Sequence, residues 1–262
     1  MTDTRAVQAW CLYDWANSAF ATTVVAALFP PFFRSLATAG GMGPQAATSL
    51  WGFTTSAGLL VVALAAPVLG ALADARGERK RFVGYFAGLG ILATALFAGL
   101  GDGAWDWAAG LFIVANVGFA GGNVFYESLL PHITTSETID DVSARGFALG
   151  YLGGGILLVM NLLWVLHPAR FGMPSEAFAV RASFVSVALW WGLFSIPVLT
   201  RVPEPPAATA SLGAGENVLA IHGLNYGAGS SDFLVSAELH ARNAPEVAGG
   251  ISPGAVEYTG AI

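Results

Sequence analysis

The stretch "YDWANSAFATT", Tyr13 to Thr23, sets a carboxylate, a carboxamide and hydroxyls along one line. Asp14, Asn17 and Ser18 are spaced i, i+3, i+4, and Thr22 follows at i+8, so a helix places them on one face. Trp15, Phe20, Val24 and Leu28 populate other directions. A second face of this kind comes later: Asn116, Asn123 and Glu127 are spaced i, i+7, i+11, with Tyr126 alongside. Such groups can bind a polar solute reversibly. Asp14 and Glu127 at one depth can also share a proton, because like charges raise one another's pKa. Plainer readings stand beside these. Asp14 can sit in a headgroup zone, Ser and Thr can bond back to helix carbonyls, and Glu127 can pair with Arg145.

The elements that must carry these faces follow from composition. The chain has 262 residues, 55% hydrophobic and 11% charged, and its mean hydropathy is +0.63. A soluble domain carries about 25% charged residues, so the composition points to a membrane protein. The net charge of -6 argues against nucleic acid. Cys11 stands alone, so no intrachain disulfide forms and no metal cluster is suggested. The first apolar run lacks an A-x-A-like cleavage site and reads as an uncleaved span.

A helix needs roughly 20 apolar residues to cross about 30 Å of hydrocarbon. Segments of that kind run about Trp15–Leu36, Leu50–Leu72, Phe82–Leu100, Trp107–Leu130, Phe147–Leu166 and Ala182–Leu199. Strand alternation is absent, and helices satisfy their own backbone in lipid. Pro30, Pro31 and Pro67 fall inside apolar runs and imply kinks. Counting basic residues puts Arg5, Arg76, Arg79, Lys80, Arg81, Arg145 and Arg201 on one side, against Arg34, Arg170 and Arg181 on the other. The positive-inside rule makes the first side cytoplasmic, with both termini there. Trp51, Trp105, Trp107, Trp164 and Trp190 read as an aromatic belt near span ends.

After "RVPEPPAAT" no run is long enough to span. The remainder is rich in Gly and Ala, with turn signals such as "YGAGSSD" and "NAPEVAGG". It reads as a low-order cytoplasmic tail. Ser230, Ser231 and Asp232 with His222 and His240 would make a poor hydrolase site, lacking a nucleophile elbow. The glycines of "GFALGYLGGG" (Gly146, Gly150, Gly153, Gly154 and Gly155) lie in an apolar span and read as close-packing positions rather than a phosphate loop.

The most specific signal is the loop "GALADARGERKR". Gly70, Leu72, Asp74, Gly77, Arg79 and Lys80 resemble the G-x-L-x-D-x-x-G-[RK]-[RK] signature of the major facilitator superfamily, although Ala75 and Glu78 stand where a basic residue is usual. Gly70 would permit close helix approach, Asp74 would cap or pair across a helix end, and Gly77 would make the turn. The cations would hold the loop at an anionic leaflet. With that loop in place, "YDWANSAFATT", "FYESLLPHI" and "SARGFALGYLGGG" resemble the vacuole effluxer family of that superfamily, over about Val7 to Pro206.

The resemblance implies an all-α integral membrane protein of the bacterial inner membrane. Residues 1–206 would be a six-helix bundle like the N-terminal half of a major facilitator transporter, and 207–262 a tail. It implies secondary active efflux of small solutes such as amino acids, by alternating access. The expected solute path is Asp14, Asn17, Ser18, Asn116, Asn123, Tyr126 and Glu127. The expected cytoplasmic gating motif is Gly70, Asp74, Gly77, Arg79 and Lys80. Expected partners are membrane lipid, a small-molecule solute, a proton as coupling ion, and a second half or second copy. No cofactor, metal or nucleic acid is expected. Such transporters have twelve spans in two halves, with the solute site between them. A truncation or frame error near Ala207 would explain why one half is absent here. The alternatives are a non-transporting assembly or scaffold protein, in which the polar faces only glue helices, and a non-functional truncated product. An intramembrane enzyme lacks any convergent Ser/His, Asp/Asp or metal-ligand set.

Overall fold

The computed structural model describes residues 3–207 and two strands, Asn217–Asn225 and Phe233–Ala241. Among the described residues, six helices are long and apolar enough to cross a membrane: Thr4–Ala39, Pro44–Arg76, Arg79–Gly99, Trp105–Ile133, Ile139–Leu166 and Glu176–Arg201. They are called the first to sixth spans. Each extends past its predicted segment at one or both ends, because hydropathy registers only the oily part of a helix and caps set its true start. The Asp3 carboxylate accepts from the Arg5 and Ala6 amides at 3.0 and 3.3 Å. Ser175 Oγ does the same for the Phe178 amide at 3.1 Å.

The prolines act locally. Pro30 lacks an amide, and its ring crowds the carbonyl four residues back. The first span answers with a π-helical stretch, Phe20–Leu28, and the Phe29 amide bonds to the Val24 carbonyl five residues back. The second span stays helical through Pro67. It ends at Gly77, whose left-handed φ of +62° favours glycine. The Glu78 amide reaches the Ala73 carbonyl at 2.9 Å and the Gly77 amide reaches Asp74 at 3.3 Å, the two bonds of a Schellman motif.

The first span packs on the fifth and sixth, the fourth on the second and third, and the third on the sixth. Exchanging the first three spans with the last three maps this list onto itself. That is the pattern expected of a nested three-plus-three repeat. Two contacts depend on absent side chains. A Cβ on Gly118 would land on the backbone of Gly90 and the Phe86 carbonyl. On the fifth span, Gly146, Gly150, Gly153 and Gly154 face Trp10, Asp14, Trp15 and Ser18 of the first. Gly155 faces open space, so the expected packing role fails there: it is one position off the buried line.

One end of the bundle is aromatic. Phe29, Trp51, Phe97, Phe112 and Phe184 form one set of ring contacts. Trp51 therefore packs inward. Trp190 lies mid-helix, stacks on Trp15 with ring centroids 5.4 Å apart, and donates to the Trp15 carbonyl at 3.2 Å. Both rings are used in packing between helices, which the expectation of a belt did not foresee, because position along a helix says nothing about which face a ring takes. The second span is the least covered: Phe53, Leu64 and Val68 are each at least 70% exposed. The two strands pair antiparallel, from Asn217 opposite Ala241 to Asn225 opposite Phe233. Ser230, Ser231 and Asp232 lie outside the described residues.

Candidate functional site

The polar faces of the first and fourth spans meet at one point. Asn17 Nδ2 donates to Asn123 Oδ1 at 2.5 Å, and Asn17 is 2% exposed. Around this pair stand aromatic side chains. Tyr126 stacks on Trp10 with ring centroids 4.4 Å apart and lies 4.8 Å from the Tyr13 ring. Trp10 Nε1 donates to the Tyr126 carbonyl at 3.0 Å, a second tie between the same spans. The hydroxyl of Tyr13 lies over Gly122, where a methyl group would fall 2.8 Å from it. The Tyr126 hydroxyl is buried with no hydrogen-bond partner among the described residues, while the buried Tyr13 hydroxyl has the Asn17 and Trp191 side chains beside it. A buried orphan hydroxyl costs about 1–3 kcal/mol, so the Tyr126 hydroxyl is held there at a cost.

The rest of the first-span stripe turns away from the fourth span. Ser18 Oγ donates to Asp14 Oδ1 at 3.4 Å, and both groups abut Gly150 of the fifth span. Thr22 Oγ1 bonds to the Gly154 carbonyl at 3.1 Å and to the Ser18 carbonyl at 3.0 Å. The stripe is therefore divided: Asn17 looks at the fourth span, while Asp14, Ser18 and Thr22 look at the fifth. On the fourth span, Asn116 is buried against Gly58 of the second span, two helical turns from Asn123. Glu127 is half-buried beside Tyr126.

The Gly70–Lys80 loop forms a second cluster. Arg79 Nε donates to Asp74 Oδ1 at 2.5 Å. Its Nη1 donates to the Ser128 carbonyl at 3.0 Å and lies 2.9 Å from His132 Nε2. Ser128 and His132 close the fourth span, so one guanidinium fork ties the loop to the end of the helix that carries Asn123. Lys80 Nζ bonds to the Val202 carbonyl at 2.9 Å, just past the sixth span, and is thereby committed within the protein rather than to a leaflet. Arg81 pairs with Glu78. Gly70 meets nothing within 4 Å and lies on an open face of the second span.

A sequence profile described as "Vacuole effluxer Atg22 like" matches residues 2–226. The chain belongs to the vacuole effluxer Atg22-like family. This effluxer-like chain is 36% identical over 202 residues to an uncharacterized MFS-type transporter, YxiO, of Bacillus subtilis (strain 168), covering 77% of this chain and 47% of the relative. It is 24% identical over 218 residues to autophagy-related protein 22 of Coccidioides immitis (strain RS), covering 62% of this chain and 35% of that protein. Among solved structures, the proton:xylose symporter XylE bound to 6-bromo-6-deoxy-D-glucose matches with a TM-score of 0.57 at 17% identity. That match covers 77% of this chain and 44% of XylE, and it shows the major facilitator fold. The effluxer-like chain spans about a third to a half of the length of these relatives. The family is one of transporters rather than enzymes.

Sequence reading missed Trp10 and Tyr13 as companions of Tyr126. Their signal was available: Trp10, Tyr13 and Asn17 are spaced i, i+3, i+7 and share a face. It also missed His132 and Glu204, whose partners are too distant in sequence for any spacing rule to find.

Proposed function

We infer that this chain forms one half of a secondary transporter that exports a small polar solute, amino acids being the class the family resemblance suggests. Alternating access would move this half against a second six-span half. Asn17, Asn123 and Asn116, with the Tyr126 and Tyr13 hydroxyls, line the solute path. Asp14 and Glu127 are the carboxylates available to a coupling proton. Both termini and the Gly70–Lys80 loop face the cytoplasm, on the strength of the basic residues on that side.

The observation that carries this reading is the Asn17–Asn123 pair, with Asn17 itself buried, beside the orphan Tyr126 hydroxyl. Polar groups placed inside a membrane bundle at a cost mark substrate or ion routes. The test is counterflow of radiolabelled amino acids in proteoliposomes. It uses the chain alone and the chain co-reconstituted with the second half of the B. subtilis relative. Flux should need both halves and should be abolished by Asn17→Leu. Equal flux with Asn17→Leu would return the pair to the role of helix glue.

A further inference from the structure

The segment after the sixth span is bound to the loop between the second and third spans. Val202 and Pro205 are buried. Glu204 Oε1 accepts from the Lys80 amide at 2.6 Å, and Lys80 Nζ returns a bond to the Val202 carbonyl at 2.9 Å. The chain then passes over Gly77, where a Cβ would fall 2.6 Å from the Ala207 nitrogen and 3.0 Å from the Pro205 carbonyl oxygen. Pro203, Pro205 and Pro206 hold the segment extended at little entropic cost, because their φ angles are fixed before folding.

We propose that Glu204 is a positioning residue for the Gly70–Lys80 loop, and that residues 202–207 are a strap holding that loop in its turn. The amide of Lys80 belongs to the first turn of the third span and has no acceptor inside its own helix. A carboxylate there satisfies an orphan donor and meets the positive end of the helix dipole. The same loop carries Arg79, which grips the end of the fourth span. The strap thus joins the exit of the sixth span to the end of the fourth. Whatever follows Ala207 departs from the loop, and a pull on it is delivered to Lys80 and Arg79 before it reaches the sixth helix. This proposal does not depend on which solute is moved, or on whether any is.

The test is amide hydrogen exchange of the purified chain in lipid nanodiscs. Because Lys80 has no intrahelical acceptor, its protection reports on Glu204 directly. Glu204→Ala should speed exchange at Lys80 by about tenfold or more, in line with the loss of a charge-assisted bond. Amides in the middle of the third span should be unchanged. Glu204→Gln should fall between, and Glu204→Asp should restore part of the protection. Lys80→Ala should loosen residues 202–207 while leaving the amide at position 80 protected. Unchanged exchange at Lys80 in Glu204→Ala would overturn the proposal. So would a uniform rise across all spans, because Glu204 would then matter only to global stability.

Discussion

Asn17 and Asn123 hold the first and fourth spans together by an amide-to-amide hydrogen bond, and the two spans exchange under the internal symmetry of the bundle. Each span thus presents a carboxamide to its symmetry counterpart at the same level. A pair of this kind is self-satisfying when closed, and each amide keeps spare donor and acceptor capacity for a third party.

Replacing Asn17 by leucine should cost little stability. Interhelical hydrogen bonds in membranes contribute about 0.6 kcal/mol on average and about 1.7 at most. Thermal unfolding in detergent should therefore shift by only a few degrees, while solute counterflow with a second half should vanish. A large loss of stability with flux retained would reverse the assignment.

Gly118→Ala should be poorly tolerated. The added methyl meets the backbone of Gly90, which has no side chain to move aside. Overpacking of this kind costs about 1–3 kcal/mol. Gly155→Ala, one helix away and facing open space, should leave the melting temperature unchanged. The pair of variants read side by side in one detergent checks both statements.

Asp74→Asn and Arg79→Lys should destabilise the six-span chain itself, because their partners lie within it. The side chains are about one-fifth exposed (22% and 21%), so the effect should be modest, on the order of 1 kcal/mol. The double variant should cost no more than the worse single one, as expected for residues acting as a unit. Strict additivity of the melting shifts would show that the two act separately.

Orientation can be read by labelling with an impermeant thiol reagent after Cys11→Ser. Ser35→Cys should react from outside intact cells, and Ala75→Cys only after the membrane is opened; both positions are exposed. The reverse pattern would invert every assignment of sidedness made from the basic residues.

The spans were legible because length and apolarity are local properties, and the turn at Gly77 because its left-handed backbone favours glycine. Asn17 and Asn123 were legible as members of polar faces. The direction of Asp14 and Ser18 was not. Residues at i, i+3 and i+4 share a face, but two neighbours meet the first span along it, and sequence cannot say which of them each side chain addresses. Gly150 decides the matter by leaving room on the fifth span. Glu204 was illegible for another reason. It stands between prolines and reads as loop, and its partner Lys80 is 124 positions away.

The π-helical stretch Phe20–Leu28 has a consequence for insertions and deletions. Wider turns advance the angular phase of a helix more slowly than α turns. The first span therefore carries a built-in offset between its Asn17 end and its Phe29 end. Removing a single residue such as Ala26 would let the stretch rewind as α-helix and rotate one end against the other. Asn17 or Phe29 would then face the wrong neighbour, although no side chain in either cluster had been touched. The first span should accordingly accept substitution at the exposed Ala26 but not its removal.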